Sequence, residues 1–461
     1  MADSPAVQAP LDPKEEPILT RLLQLRDELS LLKQDKSTYV KSQDVIHIYD
    51  HIIEQVHLLN TLRNEHGKPL ESNRVDRVLG DCFQLISLFF LTIGRNNEAP
   101  AVYSMASTVR RLLDHLKEAA FFTAKDLESI GQSLDKMYDN LKRGKDTCSP
   151  HLLTLLESRM DVCRNLLAEL RTSLSSLSPA LNPVHERLVS ILRSISAANT
   201  RSKFPSAEVE GFRSQLKEIK ATMVDGKFLA EDSTAPAGQD IVIGLLDRCF
   251  LWSDIVLTRQ GKIDERFKTI YDKLSDIRNH LERLTLTQAW SLRETDLYNY
   301  QRQLDQVDES RINGNFEDPS GYKADLHAQR VSRSDFLTWR LLLSQSQTLL
   351  YLLRRSYAYI YSLIIASEPV SEALLPIFNQ LQTLRRCLIE VKRSGGVSSP
   401  RELYPYSMKL SSIDNMRVDG KFMVGADVPE GQGSVSTLLA ECFDLQYELK
   451  VEAEEHETDD S

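Results

Sequence analysis

One segment of this chain occurs twice, and it constrains the fold more than any other feature of the sequence. The first copy runs from Val-Asp-Gly-Lys-Phe at 224–228 to Cys-Phe at 249–250, and the second from the same pentapeptide at 418–422 to Cys-Phe at 442–443. Between these motifs, each copy contains Pro-x-Gly-Gln followed by an apolar run. A weaker third copy ends in Cys-Phe near the start of the chain, at 75–83. Internal repetition of this kind predicts a protein assembled from related structural units.

The apolar run before each Cys-Phe pair has the spacing of an α-helix. In the last copy, positions i, i+3, i+4, i+7 and i+8 form one helix face and are occupied by Val435, Leu438, Leu439, Cys442 and Phe443. A cysteine in this stripe is a small apolar side chain that lets a neighbouring helix approach. A reactive or metal-binding thiol would instead need exposure, a cationic neighbour or further ligands. We therefore expect the repeated cysteines to be core residues.

Helical periodicity continues through the rest of the chain, so we expect an all-α protein. The expected architecture is an elongated multi-helix bundle built from two full and one truncated related helical units. A stretch containing Asn-Gly and Pro-Ser-Gly indicates a loop before the last unit, and six acidic residues among the last ten indicate a solvated tail. The predicted divisions are a disordered tail at 1–16, unit 1 at 17–146, unit 2 at 147–311, a loop or linker at 312–333, unit 3 at 334–451 and an acidic disordered tail at 452–461.

Composition and charge exclude several classes of protein. The net charge of −10 argues against a surface built to bind nucleic acid. Six cysteines without C-x-x-C spacing fit neither a disulfide framework nor a zinc site. The longest apolar runs, at 85–93 and 357–366, are shorter than the roughly 20 residues that cross a bilayer, and the N-terminus lacks the apolar segment of a signal peptide. We therefore expect a protein of the cytoplasm, with the nucleus as an open alternative, and no membrane span.

The two Val-Asp-Gly-Lys-Phe segments are the candidate functional loops. Asp-Gly is a strong turn signal, because glycine accepts positive φ and aspartate bonds to nearby backbone. The loops are either structured connectors or docking sites, where backbone amides at a helix N-terminus and a lysine hold an anion or a partner. No P-loop or dinucleotide-binding motif accompanies them, which favours a peptide over a nucleotide. The candidate residues are Asp225, Gly226, Lys227, Gln239, Asp419, Gly420, Lys421 and Gln432.

A histidine-rich helix near the N-terminus is the nearest approach to a metal site. Asp44 with His47, and His51 with Glu54, have the spacing found in di-iron carboxylate proteins. Both pairs, however, lie on one helix and opposite an apolar stripe that includes Val45, so they should face water. Kinase, zincin and nucleophile-elbow signatures are also missing from the sequence. We expect no metal and no cofactor, and we assign no catalytic residue.

The segment Asn-Arg-Val-Asp-Arg-Val-Leu-Gly-Asp-Cys-Phe at 73–83, the two Val-Asp-Gly-Lys-Phe loops and the all-helical pattern resemble an uncharacterised fungal family. That family is catalogued only as a domain of unknown function, and the resemblance spans about 17–450. It implies a soluble, all-helical, cytoplasmic protein, with the nucleus again open. It implies no activity and no catalytic residues.

Two functions are open on this basis. The first is a non-enzymatic scaffold or adaptor, which offers grooves between helices or its two loops to protein partners. The alternative is a small-molecule or phosphate-binding protein, an enzyme included, that uses the Asp-Gly-Lys-Phe loops. Lys227 or Lys421 would point into a concave pocket in the second case and would lie on an open surface in the first.

Overall fold

The structure is a computed structural model that describes residues 12–65, 73–201, 203–229, 236–312, 314, 316 and 336–459. Within these residues it contains fifteen α-helices, five short 3-10 helices and one pair of two-residue strands. The predicted all-α fold is confirmed. The expected tail up to residue 11, and most of the expected loop at 312–333, lie outside the described residues.

The helices are α1 (Glu16–Gln34), α2 (Ser42–Glu65), α3 (Arg74–Thr92), α4 (Val102–Ala119), α5 (Ala124–Arg143), α6 (Pro150–Ser175), α7 (Asn182–Ala198), α8 (Ser206–Ala221), α9 (Gln239–Arg259), α10 (Glu265–Ser291), α11 (Leu297–Glu309), α12 (Phe336–Ile365), α13 (Leu375–Arg393), α14 (Tyr404–Asp414) and α15 (Gln432–Asp459). The antiparallel strands are β1 (Arg417–Val418) and β2 (Lys421–Phe422). None of the described helices combines the length and the apolar character that crossing a membrane requires.

Local sequence signals start several of these helices. At α3, the side chain of Asn73 accepts a hydrogen bond from the N–H of Val75 at 2.8 Å, and Asp76 accepts one from the N–H of Asn73 at 2.9 Å. This reciprocal capping box satisfies two amides that the helix leaves unpaired. Pro17 and Pro150 open α1 and α6, because the first helical turn needs no amide donor.

Successive helices pack in groups of three, in which the third helix lies against the first. The contacting pairs are α1 with α3, α4 with α6, α7 with α9, α10 with α12 and α13 with α15. In four groups a buried cysteine of the third helix donates a hydrogen bond to a backbone carbonyl of the first, at S···O distances between 3.5 and 3.7 Å. These bonds join Cys82 to Leu22, Cys163 to Ala106, Cys249 to Leu188 and Cys442 to Leu381. The expected core position of the repeated cysteines is confirmed.

The buried apolar residues form three cores. The largest joins α1 to α6 with α10 to α12, the second lies among α7 to α9, and the third among α13 to α15. The predicted divisions at 146–147 and 312–333 fall inside the span of the largest core. Helical periodicity shows which face of a helix is buried but not which helix covers it, so the sequence did not indicate that α10 to α12 return to the first core. The division into three related units stays a prediction.

The acidic C-terminal segment is largely helical. The sequence predicts a disordered tail at 452–461, but α15 extends to Asp459, which corrects this prediction. Ala453 is buried, and Lys392 of α13 lies 3.7 Å from Glu452. A buried face and a neighbouring cation therefore continue the helix into residues that are too acidic to suggest order by composition alone.

The histidine-rich helix α2 has the orientation that its sequence predicts. Val45, Ile48 and Ile52 are buried in the largest core, whereas Asp44 and His47 are exposed. In the described part of the chain, no group of three or more histidine, cysteine, aspartate or glutamate side chains is arranged to hold a metal ion.

Candidate functional site

The two Asp-Gly segments form hairpins with the same turn. Two backbone hydrogen bonds of 2.9 and 3.0 Å close the segment 224–227, whose central residues Asp225 and Gly226 have φ of +49° and +75°. In the second hairpin, φ is +50° at Asp419 and +77° at Gly420. Positive φ at both central residues defines the type I′ turn, whose twist matches that of the strands it joins. The turn prediction from Asp-Gly is confirmed in both copies.

A glutamine at the start of the following helix fastens each hairpin. Gln239 Oε1 accepts a hydrogen bond from the N–H of Phe228 at 2.7 Å, and Gln432 Oε1 accepts one from the N–H of Phe422 at 2.9 Å. Gln432 Nε2 also donates to the carbonyls of Phe422 and Pro429, at 2.7 and 3.1 Å. Both phenylalanines are buried in the adjoining cores. These two candidate residues thus bind the backbone of their own loops and hold the base of each hairpin.

The other candidate residues lie at the tips of the hairpins. The exposed ones are Asp225, Gly226, Lys227, Asp419, Gly420 and Lys421. Neither lysine has an ion-pair partner among the described residues, and neither lines any of three surface and internal cavities of the molecule. Both lysines are thus exposed and lie outside these three cavities.

Apolar side chains surround the second hairpin. Five of them, with exposed fractions between 36% and 56%, lie in the hairpin or beside it. They form what we call the hairpin surface: Met416, Val418, Met423, Val424 and Val428. In the first hairpin, Val224 occupies the position of Val418, and each of the two valines is 55% exposed. Both hairpins thus present a valine to solvent beside the exposed lysine.

The loop that follows the second hairpin is attached to the largest core. Arg95 donates to Glu430 at 2.6 Å, and the hydroxyl of Tyr39 donates to Asp427 at 2.6 Å. Within the third core, Gly431 lies so close to Val370 that a Cβ on this glycine would be 2.7 Å from the valine Cα. These contacts fix the orientation of the hairpin surface relative to the rest of the protein.

A second feature, absent from the sequence-based candidates, is a polar cavity of about 400 Å³ in the largest core. Its volume is in the range of small-ligand sites. Residues of α3, α4, α6, α11 and α12 line it, and they include five carboxylates and three tyrosines. We call it the arginine cavity after Arg77, Arg110, Arg111, Arg159 and Arg302.

Four of the five arginines are paired with carboxylates that also line the cavity. The N···O distances lie between 2.7 and 3.5 Å, and the pairs are Arg77 with Glu309, Arg110 with Asp114, Arg111 with Asp305 and Arg302 with Asp81. The remaining lining carboxylate, Asp76, accepts two hydrogen bonds of 2.7 and 3.1 Å from Arg63, which lies outside the cavity. The carboxylates of the wall are therefore all engaged by cations.

Arg159 is held differently from the other four arginines. Its guanidinium donates to the hydroxyls of Ser107 at 3.0 Å and Tyr103 at 2.7 Å, and lies 4.1 Å from the centre of the Tyr103 ring. In the described residues, no carboxylate forms an ion pair with Arg159. Hydroxyl and aromatic contacts orient a guanidinium, but they do not neutralise its charge.

The wall of the cavity also contains a carboxyl group, that of Asp305, with an altered pKa. Burial raises the pKa of Asp305, against the effects of Arg111 and of a 2.7 Å hydrogen bond from the Tyr357 hydroxyl. Burial beside Asp305 likewise raises the pKa of Tyr357 well above its ordinary value. The side chain of Asp305 is still 32% accessible, since it borders the cavity. A carboxyl of this kind takes up a proton at higher pH than an exposed aspartate does.

The sequence contains one signal that could have indicated the cavity. Asp76, Arg77 and Asp81 belong to the segment at 73–83, whose apolar positions predict a buried helix face. Asp81 directly precedes the buried Cys82 and is itself buried. Charged residues at the border of a buried stripe indicate a polar site inside a core, but the remaining walls come from helices that the sequence does not bring together.

Comparison with known proteins places the chain in a family. A family model described as "Protein of unknown function (DUF2408)" matches residues 174–294 and 367–461. A CUB1 family protein of Schizosaccharomyces pombe is 38% identical over 469 residues, which cover 100% of this chain and 97% of that protein. This chain belongs to that fungal family of unknown function. The predicted resemblance is confirmed.

A protein of Saccharomyces cerevisiae is also similar to this chain over nearly its whole length. The "Cu(2+) suppressing and bleomycin sensitive protein 1" of Saccharomyces cerevisiae is 38% identical over 521 residues, 96% of this chain and 91% of that protein. No solved structure matches the chain.

The two segments that match the family model contain both hairpins, whereas all five arginines of the cavity lie outside them. The relatives, by contrast, align along the cavity helices as well, since they cover nearly the whole chain.

Proposed function

We propose that this protein is a non-enzymatic scaffold or adaptor that binds protein partners through its two hairpins. The observation that carries the proposal is the hairpin surface, where five apolar side chains stay exposed around a turn fastened by Gln432 and Phe422. Exposed apolar area costs about 25 cal/mol per Å² relative to burial. A group of such side chains on one loop therefore supports a role in binding a partner that covers them.

The chemistry of the hairpin surface indicates the kind of partner. Met416 and Met423 are flexible and polarizable, so they adapt to apolar surfaces of different shape. Lys421 at the tip and Lys409 on α14 are exposed, with no ion-pair partner in the described chain. The matching partner is an apolar segment, such as one face of an amphipathic helix, bordered by acidic residues.

The first hairpin supports a second contact of the same type. It repeats the turn, the fastening glutamine and the exposed valine and lysine, at Gln239, Val224 and Lys227. Two similar contacts on one chain can bind one partner bivalently, or two partners side by side. A scaffold uses either arrangement.

We propose that this binding takes place in the cytoplasm, with the nucleus as an alternative. All six cysteines are free thiols, which suits a reducing compartment. The name of the relative from Saccharomyces cerevisiae refers to copper and bleomycin and not to a catalysed reaction. A role without catalysis is compatible with that name.

Affinity purification from native cells, followed by direct binding measurements with each purified partner, tests the proposal. The hairpin variant carries Met416→Ser, Val418→Ser and Met423→Ser, changes of exposed side chains that should leave the fold intact. The control variant carries Leu31→Ser and Leu58→Ser, which are 68% and 46% exposed and belong to α1 and α2. We expect a partner that binds the wild-type and control proteins alike, and the hairpin variant at least about tenfold more weakly.

Two results would overturn the adaptor proposal. One is a partner that binds the hairpin variant as tightly as the wild type, because the binding surface would then lie elsewhere. The other is the recovery of no stoichiometric partner by the wild-type protein.

Two separate double variants, Asp225→Ala with Lys227→Ala and Asp419→Ala with Lys421→Ala, show whether a recovered partner binds one hairpin or both.

A further inference from the structure

One arginine in the wall of the arginine cavity has no carboxylate partner in the described part of the chain. Four of its arginines are paired with carboxylates of the wall, and Asp76 is bound by Arg63. Arg159 is the lining arginine without a carboxylate partner in the described residues. A half-buried cation without a counter-ion is unfavourable, so an anion that enters the cavity is attracted to Arg159.

Three residues that line the cavity also have a buried polar atom without a hydrogen-bond partner in the described residues. These are Tyr298 Oη, Gln301 Oε1 and Arg302 Nε, in residues that are 2%, 3% and 9% exposed. Buried polar atoms without a partner are rare in folded proteins and mark places where a ligand or water completes the bonding. The set contains the acceptor of Gln301, the donor of Arg302 and the hydroxyl of Tyr298, which serves as either.

We propose that the arginine cavity binds a small hydroxylated organic anion, with the anionic group on Arg159 and the hydroxyl groups on Tyr298 and Gln301. The anionic group is a phosphate ester or a carboxylate, since the guanidinium fork binds both through paired N–H···O bonds. The cavity volume of about 400 Å³ limits the ligand to a small molecule. This site is independent of the hairpins.

The contacts of Arg159 prepare it for this role. One N–H of each terminal nitrogen is used by Ser107 or Tyr103, and the other donors of the guanidinium form no hydrogen bond with the described residues. The Tyr103 ring under the guanidinium restricts its orientation. A side chain oriented before binding loses less conformational entropy when the ligand arrives.

Calorimetric titration and thermal unfolding of the full chain at low salt test the proposal with three probes. Glycerol 3-phosphate carries a phosphate ester and two hydroxyl groups, glycerate carries a carboxylate and two hydroxyl groups, and glycerol carries no charge. We expect saturable binding and a raised Tm with at least one of the two anions and neither effect with glycerol. The comparison of the two anions distinguishes a phosphate site from a carboxylate site.

Three variants assign the binding to the cavity. Arg159→Met should lower the affinity for the anion at least about tenfold. Arg164→Met is the matched control, because Arg164 is on the same helix and stacks on Tyr138 at 4.0 Å without lining the cavity. Tyr298→Phe removes an unpartnered hydroxyl, so it should weaken anion binding while the Tm of the empty protein stays unchanged or rises.

Several outcomes would overturn this proposal. They are binding of neither anion, equal binding of glycerol, and an affinity that Arg159→Met leaves unchanged. The Tm of the unliganded Arg159→Met protein, compared with that of Arg164→Met, shows whether the variant is folded. If it is unfolded, the Tyr298→Phe affinity decides, and an unchanged value overturns the proposal. None of these results bears on the hairpin variant, so the adaptor proposal stands or falls separately.

Discussion

Asp305 and Asp308 lie one turn apart on α11, and their surroundings shift their pKa values in opposite directions. Burial raises the pKa of Asp305. Burial acts on Asp308 as well, but the hydrogen bond with His115 and the charges of Arg311 and Arg111 hold its pKa below the ordinary value. The difference follows from position, since Asp305 borders the cavity and Asp308 faces three cationic or hydrogen-bonding side chains.

We expect Asp308→Asn to lower the free energy of unfolding at neutral pH by about 3 kcal/mol, because two arginines lose a buried counter-ion. A carboxyl whose folded pKa is lowered contributes stability above its unfolded pKa of about 4, and this contribution is lost as the pH falls through the folded pKa. Urea unfolding at a series of pH values should therefore show a smaller acid-induced loss of stability in the variant than in the wild type. An identical pH dependence would contradict the assignment.

Asp305→Asn should change the pH dependence of stability in the opposite direction to Asp308→Asn. A carboxyl with a raised folded pKa contributes stability while it is protonated, and that contribution is lost as the pH rises from about 4 through the folded pKa. Asparagine keeps the acceptor for the Tyr357 hydroxyl and carries no charge, so its cost at neutral pH should be smaller than that of Asp308→Asn. The same urea series measures this. Equal destabilisation by the two variants would show that their environments are equivalent.

The glycine before each fastening glutamine should tolerate no side chain. Gly431 has φ of +95°, and a Cβ there would lie 2.7 Å from Val370 Cα. We expect Gly431→Ala to cost about 3 kcal/mol, from the strained backbone and the clash together. Gly433, two residues later in α15, has no atom within 4 Å of an added Cβ, and Gly433→Ala should stabilise by up to about 1 kcal/mol. Thermal unfolding of both variants provides the measurement.

The glutamine contact should control local opening of the second hairpin. In Gln432→Ala the N–H of Phe422 loses its acceptor. This loss should lower the free energy of local opening by about 1 kcal/mol, so the amide should exchange several-fold faster. Hydrogen exchange of the peptide containing Phe422 measures this change. Gln446→Ala is the control on the same helix, because Gln446 donates to Ser407 and not to the hairpin. Faster exchange in both variants would mean that α15 as a whole is loosened.

The cysteines should differ in reactivity according to burial. Cys387 is exposed, Cys148 is half-buried, and the other four are buried. Burial raises the pKa of Cys442 to about 11 and that of Cys249 to about 12, so neither forms a thiolate at neutral pH. Native protein should therefore react quickly at one thiol, slowly at a second, and at the remaining four after unfolding. The fast phase should disappear in Cys387→Ser, and rapid labelling of Cys249 or Cys442 would contradict the packing of their helices.

Much of the local structure follows from the sequence alone. The spacing of Val435, Leu439 and Cys442 predicts the buried face of α15, and these residues are buried. Each Asp-Gly pair predicts the turn that it forms. Both predictions concern neighbours along the chain, for which backbone geometry and side-chain period are sufficient. The membership of an all-helical fungal family was predictable for the same reason, since short motifs carry it.

The set of residues that line the arginine cavity is determined by tertiary structure. Its wall pairs Arg302 with Asp81 across 221 residues and Tyr357 with Asp305 across 52. A helical period specifies that one face of each of these helices is buried, but it contains no information on which helix lies opposite. That choice depends on the complementary shapes and charges of whole helices, and on loop closure between them, so it is made only when the chain packs.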